Sequence, residues 1–445
     1  MNHPVAIIGA GPIGLAAAAH AQARGLATIV LEAGPVAGSA IRQWGHVRLF
    51  SPWSELTDGA ATELLDRAGW DSPAATRYPT GDEWVDAYLQ PLADALQATP
   101  EVDVRYLHRV IGVARAGRDR LVDAGRDTEP LVLQVQTPEG LVRVTAAAVI
   151  DASGTWGGPN PLGGDGLPAL GETEYADRIS YRIPDLRSNE GRARYAGKHV
   201  VVAGTGASAQ NTLIELAKLA ETAPGTRVSW LLRRPSASNA FGGGDNDQLQ
   251  ARGALGRSAE EAAASSTVTP IASFRAASVE AQPDGRLSVS AFDGQVVADV
   301  DEIIAVTGFR PDLDHLSEIR LDLDPVLQAP RELAPMIDPN VHSCGSVEPH
   351  GAKVLAQPEP GFYLVGMKSY GRAPSFLTLT GCEQARSVVA AIAGDHAAAD
   401  RVELVLPETG VCGGSGVFDD TVESGGCCAP TPELISIGGL GTARG

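Results

Sequence analysis

The stretch VAIIGAGPIGLAAAAHAQARG, residues 5–25, decides how the chain begins to fold. VAIIG is a short apolar run of the kind expected for a strand buried on both faces of a parallel sheet. Gly9, Gly11 and Gly14 follow as G-x-G-x-x-G, and LAAAAHAQARG then reads as a helix ending at Gly25. A second apolar run, ATIVLE, ends at Glu32, 18 residues (32 − 14) beyond Gly14. In this strand–helix–strand setting the first glycine permits a tight turn and the second lets a pyrophosphate approach the backbone. The third packs helix on strand, and the acid binds ribose hydroxyls. Gly9, Gly11, Pro12, Ile13 and Gly14 are therefore the expected phosphate cradle, with Glu32 and Ala33 at the adenosine ribose. The stretch also has the apolar centre of a signal peptide, but it lacks a basic leader. No other stretch approaches about 18 uninterrupted apolar residues, so no membrane span is expected.

The pattern recurs further along. KHVVVAG (198–204) reads as a strand, and Gly204, Gly206 and Ala209, with Ala207 and Ser208 between them, give G-x-G-x-x-A before the helix SAQNTLIELAKLA. The next strand, RVSWLLRR, ends at Arg233 and Arg234 instead of an acid. A carboxylate there would repel a 2′-phosphate, whereas arginine binds one bidentately, so NADPH is expected in preference to NADH. An acid at the first site and arginines at the second assign FAD to the first and NADPH to the second.

The 445 residues suffice for two or three domains. A formal net charge of −19 argues against a nucleic-acid partner, and no basic run exceeds a pair such as Arg233-Arg234. Five cysteines make no secreted disulfide framework, so the cytoplasm is the expected compartment.

With these motifs the chain resembles the two-dinucleotide-domain flavoproteins, the group that includes flavin-containing monooxygenases and thioredoxin reductases. VIDASGTW (149–156) and EIIAVTGFRPDL (302–313) look like the strand-to-glycine crossings of that group; Ala152, Gly154 and Gly308 fall on them. YPTGDEWVDAYLQPLA (78–93) is similar to a helix segment of the monooxygenases. GFYLVGMKSYGRAPSFLTLTGCEQARSVVAAI (361–392), with Gly366 and Thr380, resembles the final FAD strand and the helix whose N-terminus faces the flavin. The fold implied is α/β: two Rossmann-like domains, the FAD domain split in sequence and the NADPH domain inserted, plus a C-terminal tail. The expected boundaries are 1–170 and 315–405 for FAD, 171–314 for NADPH and 406–445 for a Gly/Cys-rich tail. Trp44, His46, Arg48, Leu49 and Trp53 lie in the segment that commonly reaches the flavin ring in this group. RDRLVDAGRDTEPLVLQVQTPEGLVRV reads as a small antiparallel sheet edging the FAD domain, and Gly242 to Gly244 as a loop or a turn. A homodimer is expected by analogy.

The disulfide reductases of the group keep a cysteine pair beside the flavin. Here AGPVAGSAIRQWGHVRLFSPW holds no cysteine, and Cys344 and Cys382 are single. That leaves O2 as the simplest electron acceptor, and the resemblance then implies a C4a-peroxyflavin that oxygenates a soft nucleophile. The stretch EYADRISYRIPDLRSNEGRARYAGKHVVVAGTG departs from the monooxygenase signature at Tyr175 and Ile179 or Ser180, which points away from the ordinary small-amine substrates. HVRLFSPW, FGGG, DPNVHSCGSVEPHG, GMKSYGRAPSF and RVELVLPETGVC…CC resemble instead the ArsO-like flavoproteins of bacterial arsenic-resistance operons. That resemblance implies a monooxygenase tied to detoxification of trivalent arsenicals.

Cys412, Cys427 and Cys428 collect in the tail, three of the five cysteines. Soft thiolates select soft ions, so the three are candidate As(III) ligands or a thiol relay to an arsenical, a metal or a disulfide. An NADPH-dependent reductase working through the tail, and a non-enzymatic As(III) carrier or sensor, therefore stand beside the monooxygenase reading. His342, Cys344 and His350 match no standard zinc spacing and read as a structural loop. Cys382 reads either as a thiolate at a helix N-terminus or as a small buried hydrophobe.

Overall fold

The computed structural model describes residues 3–238, 240–242, 249–340 and 349–404. Cys412, Cys427, Cys428, His342, Cys344, Gly243 and Gly244 lie outside the described residues. The architecture is α/β, with two parallel five-stranded sheets that repeat one plan.

In the first sheet the strand order is Phe362–Leu364, Ala148–Asp151, Val5–Ile8, Thr28–Leu31, Val102–Arg105, and every pairing is parallel. The opening strand is apolar at each position because both of its faces are covered, and successive side chains point to opposite faces. Val5 and Ile7 face a helical layer with Leu15 and Ala16 of the Pro12–Ala23 helix and Ala385 and Val388 of the Thr378–Ile392 helix. Ala6 and Ile8 face a three-stranded antiparallel sheet through Val113, Leu131, Leu133 and Val135. That antiparallel sheet runs Arg109–Arg115, Leu131–Thr137, Gly140–Ala146, so the strand alternation anticipated around the Pro138-Glu139-Gly140 turn is present and the segment 116–130 is turn.

The second parallel sheet runs Val268–Ile271, Arg227–Leu231, His199–Ala203, Glu302–Ala305, Ile179–Ser180. Val200 and Val202 face the Ala207–Thr222 helix through Leu213 and Leu216; Val201 and Ala203 face an antiparallel sheet through Val279, Leu287 and Val289. The strand predicted through RVSWLLRR stops at Leu231, which leaves Arg233 and Arg234 in the turn beyond it.

Two antiparallel segments join the sheets. The Asn160 N–H donates to the Gly308 carbonyl at 2.9 Å and the Arg310 N–H to the Gly158 carbonyl at 2.8 Å. The helix anticipated in YPTGDEWVDAYLQPLA runs from Gly81 to Gln97, opened by a Thr80–Glu83 capping box and passing through a π turn at Val85–Leu89. A second anchor is Glu359, wholly buried. It accepts from Arg115 at 2.6 and 2.9 Å and from Arg126 at 2.5 and 3.2 Å, which ties the antiparallel sheet and the turn beyond it to the approach of the Phe362–Leu364 strand. Burial opposes its ionisation, but the two guanidiniums outweigh that and hold its carboxyl below the usual range.

Candidate active site

The first glycine loop leaves the strand at Ile8. Gly9 takes φ +98, and a Cβ there would come within 3.0 Å of the Ala152 carbonyl, so the position requires glycine. A Cβ on Gly14 would collide with the Gly9 carbonyl oxygen. At Gly11, by contrast, a Cβ meets nothing within 4 Å. Gly11 caps the Pro12–Ala23 helix without a side-chain hydrogen bond, and Pro12 occupies its first turn, where a missing N–H costs nothing. The result is open space over uncapped backbone N–H groups at a positive helix end, which fits a pyrophosphate. Glu32 accepts from the Ala10 and Gly34 N–H groups, both at 2.7 Å, so its carboxylate is fixed beside this loop with Ala33 next to it.

The second loop repeats the geometry. Gly204 takes φ +125 against the Val306 carbonyl, and Gly206 caps the Ala207–Thr222 helix with open space at its Cβ. The Trp230 indole N–H donates to the Gly204 carbonyl at 2.8 Å and braces the turn. Both loops therefore fit a dinucleotide.

Beside the second loop lies a cavity of about 290 Å³. Trp44, Arg48 and Leu49 line it from the segment after Glu32. Ala207, Ser208 and Asn211 line it from the second-loop helix, and Gly308 and Phe309 from the crossing. Phe376, Leu377 and Thr378 complete it at the start of the Thr378–Ile392 helix, which has no side-chain cap. So the structure brings Trp44, Arg48, Leu49, Ala207, Ser208 and Gly308 into one cavity. Trp53 is elsewhere: it packs in the core at 2% exposure with its indole N–H unpartnered. Thr380 is buried two residues inside the helix from Thr378. A Cβ on Gly366 or Gly381 would press on Ile13, so the last segment closes directly over the first glycine loop. Gly154 takes φ +68 beyond the Ala148–Asp151 strand, next to Ala152.

Below that crossing sits a buried ionic cluster. Lys368 donates to Asp151 at 2.9 Å and to Ser153 at 2.8 Å, and His315 bonds the same Asp151 oxygen at 2.9 Å. Burial works against ionised Asp151, but Lys368, His315 and Ser153 together hold its carboxyl well below the usual carboxylate range. His46 does not line the cavity; burial pushes its imidazole toward the neutral form. Cys382 is the fifth residue of its helix, and burial pushes its thiol well up. It is thus the buried hydrophobe of the two readings, not a helix-terminus thiolate. His350 is buried against Gln384 at 2.8 Å, and among the described residues no cluster of metal-ligating side chains exists. No described helix is long and apolar enough to cross a membrane.

Sequence reasoning missed Trp156, Tyr181, Arg182, Phe309 and Phe376 in the cavity wall. Trp156 and Phe309 each end a glycine crossing, which was the available signal. Nothing local marks Arg182.

Two dinucleotide loops, the second of which opens onto the cavity through Ala207 and Ser208, define a flavin-dependent oxidoreductase that takes FAD and a nicotinamide dinucleotide. The chain belongs to the pyridine nucleotide-disulphide oxidoreductase family, whose model matches residues 6–340. Among solved structures it is similar to a bacillithiol disulfide reductase from Bacillus cereus: 19% identity, 88% of this chain, 99% of that one, TM-score 0.64. It is similar to a flavin-containing monooxygenase from Stenotrophomonas maltophilia: 22% identity, 88% of this chain, 98% of that one, TM-score 0.51. A third is the FAD-bound cadaverine monooxygenase DfoA of Erwinia amylovora: 13% identity, 92% and 99% coverage, TM-score 0.59. At these identities the likeness is one of fold. No curated protein sequence matches the chain.

Proposed function

We propose that this protein is an NADPH-dependent monooxygenase that oxygenates a soft nucleophile, a trivalent arsenical or a sulfur or nitrogen compound. The observation that carries the reading is the make-up of the cavity: among the described residues its walls hold no thiol, and the one described cysteine, Cys382, is sealed in the core with a raised pKa. Overall, NADPH, H⁺, O2 and substrate give NADP⁺, water and the oxygenated substrate. Bound FAD supplies the hydride acceptor and the two-electron donor to O2.

The chain's own residues bind and orient. Gly9, Gly11, Pro12, Ile13 and Gly14 hold the FAD pyrophosphate, Glu32 and Ala33 the ribose, and Ala152, Gly154, Gly366 and Thr380 flank the same cofactor. Gly204, Gly206, Ala207, Ser208 and Ala209 hold the NADPH pyrophosphate, with Arg233 and Arg234 at its 2′-phosphate. The FAD unit comprises 1–170 and 315–405, with 171–314 inserted. Trp44, Leu49, Phe309 and Phe376 exclude water, and the uncapped start of the Thr378–Ile392 helix favours negative charge developing against it. Turnover of the methyl para-tolyl sulfide probe under oxygen-18 tests this. One labelled oxygen in the sulfoxide is expected; unlabelled product, or none, removes the reading.

A second reading is favoured by one contact. The Glu403 N–H donates to Glu383 of the cavity-lining helix, so the chain continues into the tail from beside that helix. Cys412 follows Leu404 by 8 residues (412 − 404), and an extended residue spans up to about 3.5 Å. On this reading Cys412, Cys427 and Cys428 bind As(III) or pass electrons to an arsenical, a metal or a disulfide.

A further inference from the structure

One wall of the cavity is built from three side chains that the cofactor motifs do not use. The Trp156 ring is fixed by an indole N–H bond to the Gln43 side-chain oxygen at 3.1 Å and by Phe309, 4.9 Å away between centroids. The Arg182 guanidinium lies over that ring, 5.5 Å from its centroid. Among the arginines near it in sequence, Arg178 and Arg194 share Glu302, and Arg187 pairs with Asp185. Arg48, the other arginine of the cavity, bonds the Tyr78 carbonyl and stands 3.9 Å from Glu83. Among the described residues no carboxylate lies within 4.0 Å of the Arg182 guanidinium.

A guanidinium held over an indole face can still present its N–H groups to a carboxylate or phosphate.

We propose that the cavity takes a substrate with an apolar or aromatic body that carries an oxyanion, and that Arg182, held over Trp156, is the residue that selects it. This rests on the cavity being the substrate site of the proposed monooxygenase. An oxyanion at Arg182 has two sources, the acid group of a substrate or a phosphate of the dinucleotide. The Gly206 loop and Arg233-Arg234 already provide for the phosphates, so the proposal commits to the substrate.

The test is equilibrium binding to the FAD-loaded full chain, read by flavin absorbance and tryptophan fluorescence with neither NADPH nor turnover. The probes are para-(methylthio)benzoate and its neutral counterpart methyl para-tolyl sulfide, with NADP⁺ as the third ligand. Arg182 is exposed, and one exposed ion pair corresponds to a selectivity of about two- to fivefold for the benzoate. Arg182→Met removes that selectivity, leaves the neutral probe within about twofold and leaves NADP⁺ binding unchanged; Arg182→Lys keeps part of the selectivity. Equal affinity of the two probes for the wild type, no saturable benzoate binding, or a parallel loss for both probes in Arg182→Met overturns the proposal. A loss confined to NADP⁺ overturns it as well and gives the arginine to the coenzyme. Because no turnover is involved, absence of oxygenation would remove the monooxygenase reading while leaving this selectivity measurable.

Discussion

Gly11→Ala and Gly206→Ala separate cofactor binding from folding. Both glycines have ordinary extended backbone, φ −82 with ψ −176 and φ −81 with ψ −177, which any residue adopts. A Cβ at either meets nothing within 4 Å. The protein alone therefore accepts alanine at a cost of about 1 kcal/mol or less, from the weaker helix cap. A pyrophosphate seated on the helix N-terminus meets the new methyl and gives up at least one charge-assisted hydrogen bond, about 1.5–3 kcal/mol. That is about 10- to 100-fold in affinity. Gly11→Ala should weaken FAD by that factor in a fluorescence titration of apoprotein. Gly206→Ala should raise the KM for NADPH by the same factor while FAD content stays full. Unchanged FAD affinity in Gly11→Ala, or an FAD loss in Gly206→Ala with NADPH unaffected, would refute the assignment of the two loops.

Further outcomes follow from the same geometry. Gly14→Ala should fail to accumulate as folded protein, since its Cβ collides with the Gly9 carbonyl; a normal Tm would contradict the tight turn. Lys368→Met should cost about 3–5 kcal/mol in denaturant unfolding by leaving Asp151 short of a cation, and Asp151→Asn added to it should recover part of the loss. Because the folded Asp151 pKa is depressed, its stabilisation is present above about pH 4 and lost as pH falls, a loss that Lys368→Met should flatten. His199, which bonds the Asp299 carbonyl at 3.0 Å and the Ser229 hydroxyl at 2.8 Å, has a pKa lowered by burial. The folded state holds it neutral, so stability should fall as pH drops below about 6.5, and His199→Gln should remove that slope in thermal melts.

The two glycine loops were legible because their demands are local. A turn needs positive φ at Gly9 and Gly204, and each helix packs on its own strand, so spacing alone records them. The alternation that buries both faces of Val5–Ile8 is likewise a property of four adjacent residues. The cavity wall is not local: Trp156, Arg182 and Phe309 meet only because the two crossings run side by side. The Lys368–Asp151 pair spans 217 residues, and no spacing rule connects its ends. Trp53, which shares the segment after Glu32 with the cavity residues Trp44 and Arg48, packs in the core with its indole N–H unpartnered, a placement that position in the chain does not record. The helix boundary at Thr378, not residue type, settles Cys382, which lies one turn too far in for the helix end to lower its pKa.

The most direct measurement is aerobic and anaerobic NADPH oxidation by a Cys412→Ser, Cys427→Ser, Cys428→Ser chain beside the wild type, with methyl para-tolyl sulfide present. The monooxygenase account predicts turnover that survives all three substitutions and stops when O2 is removed. Turnover that persists without O2 in the wild type, and vanishes in the triple variant while NADPH still bleaches the flavin, would contradict it and give the electrons to the tail thiols.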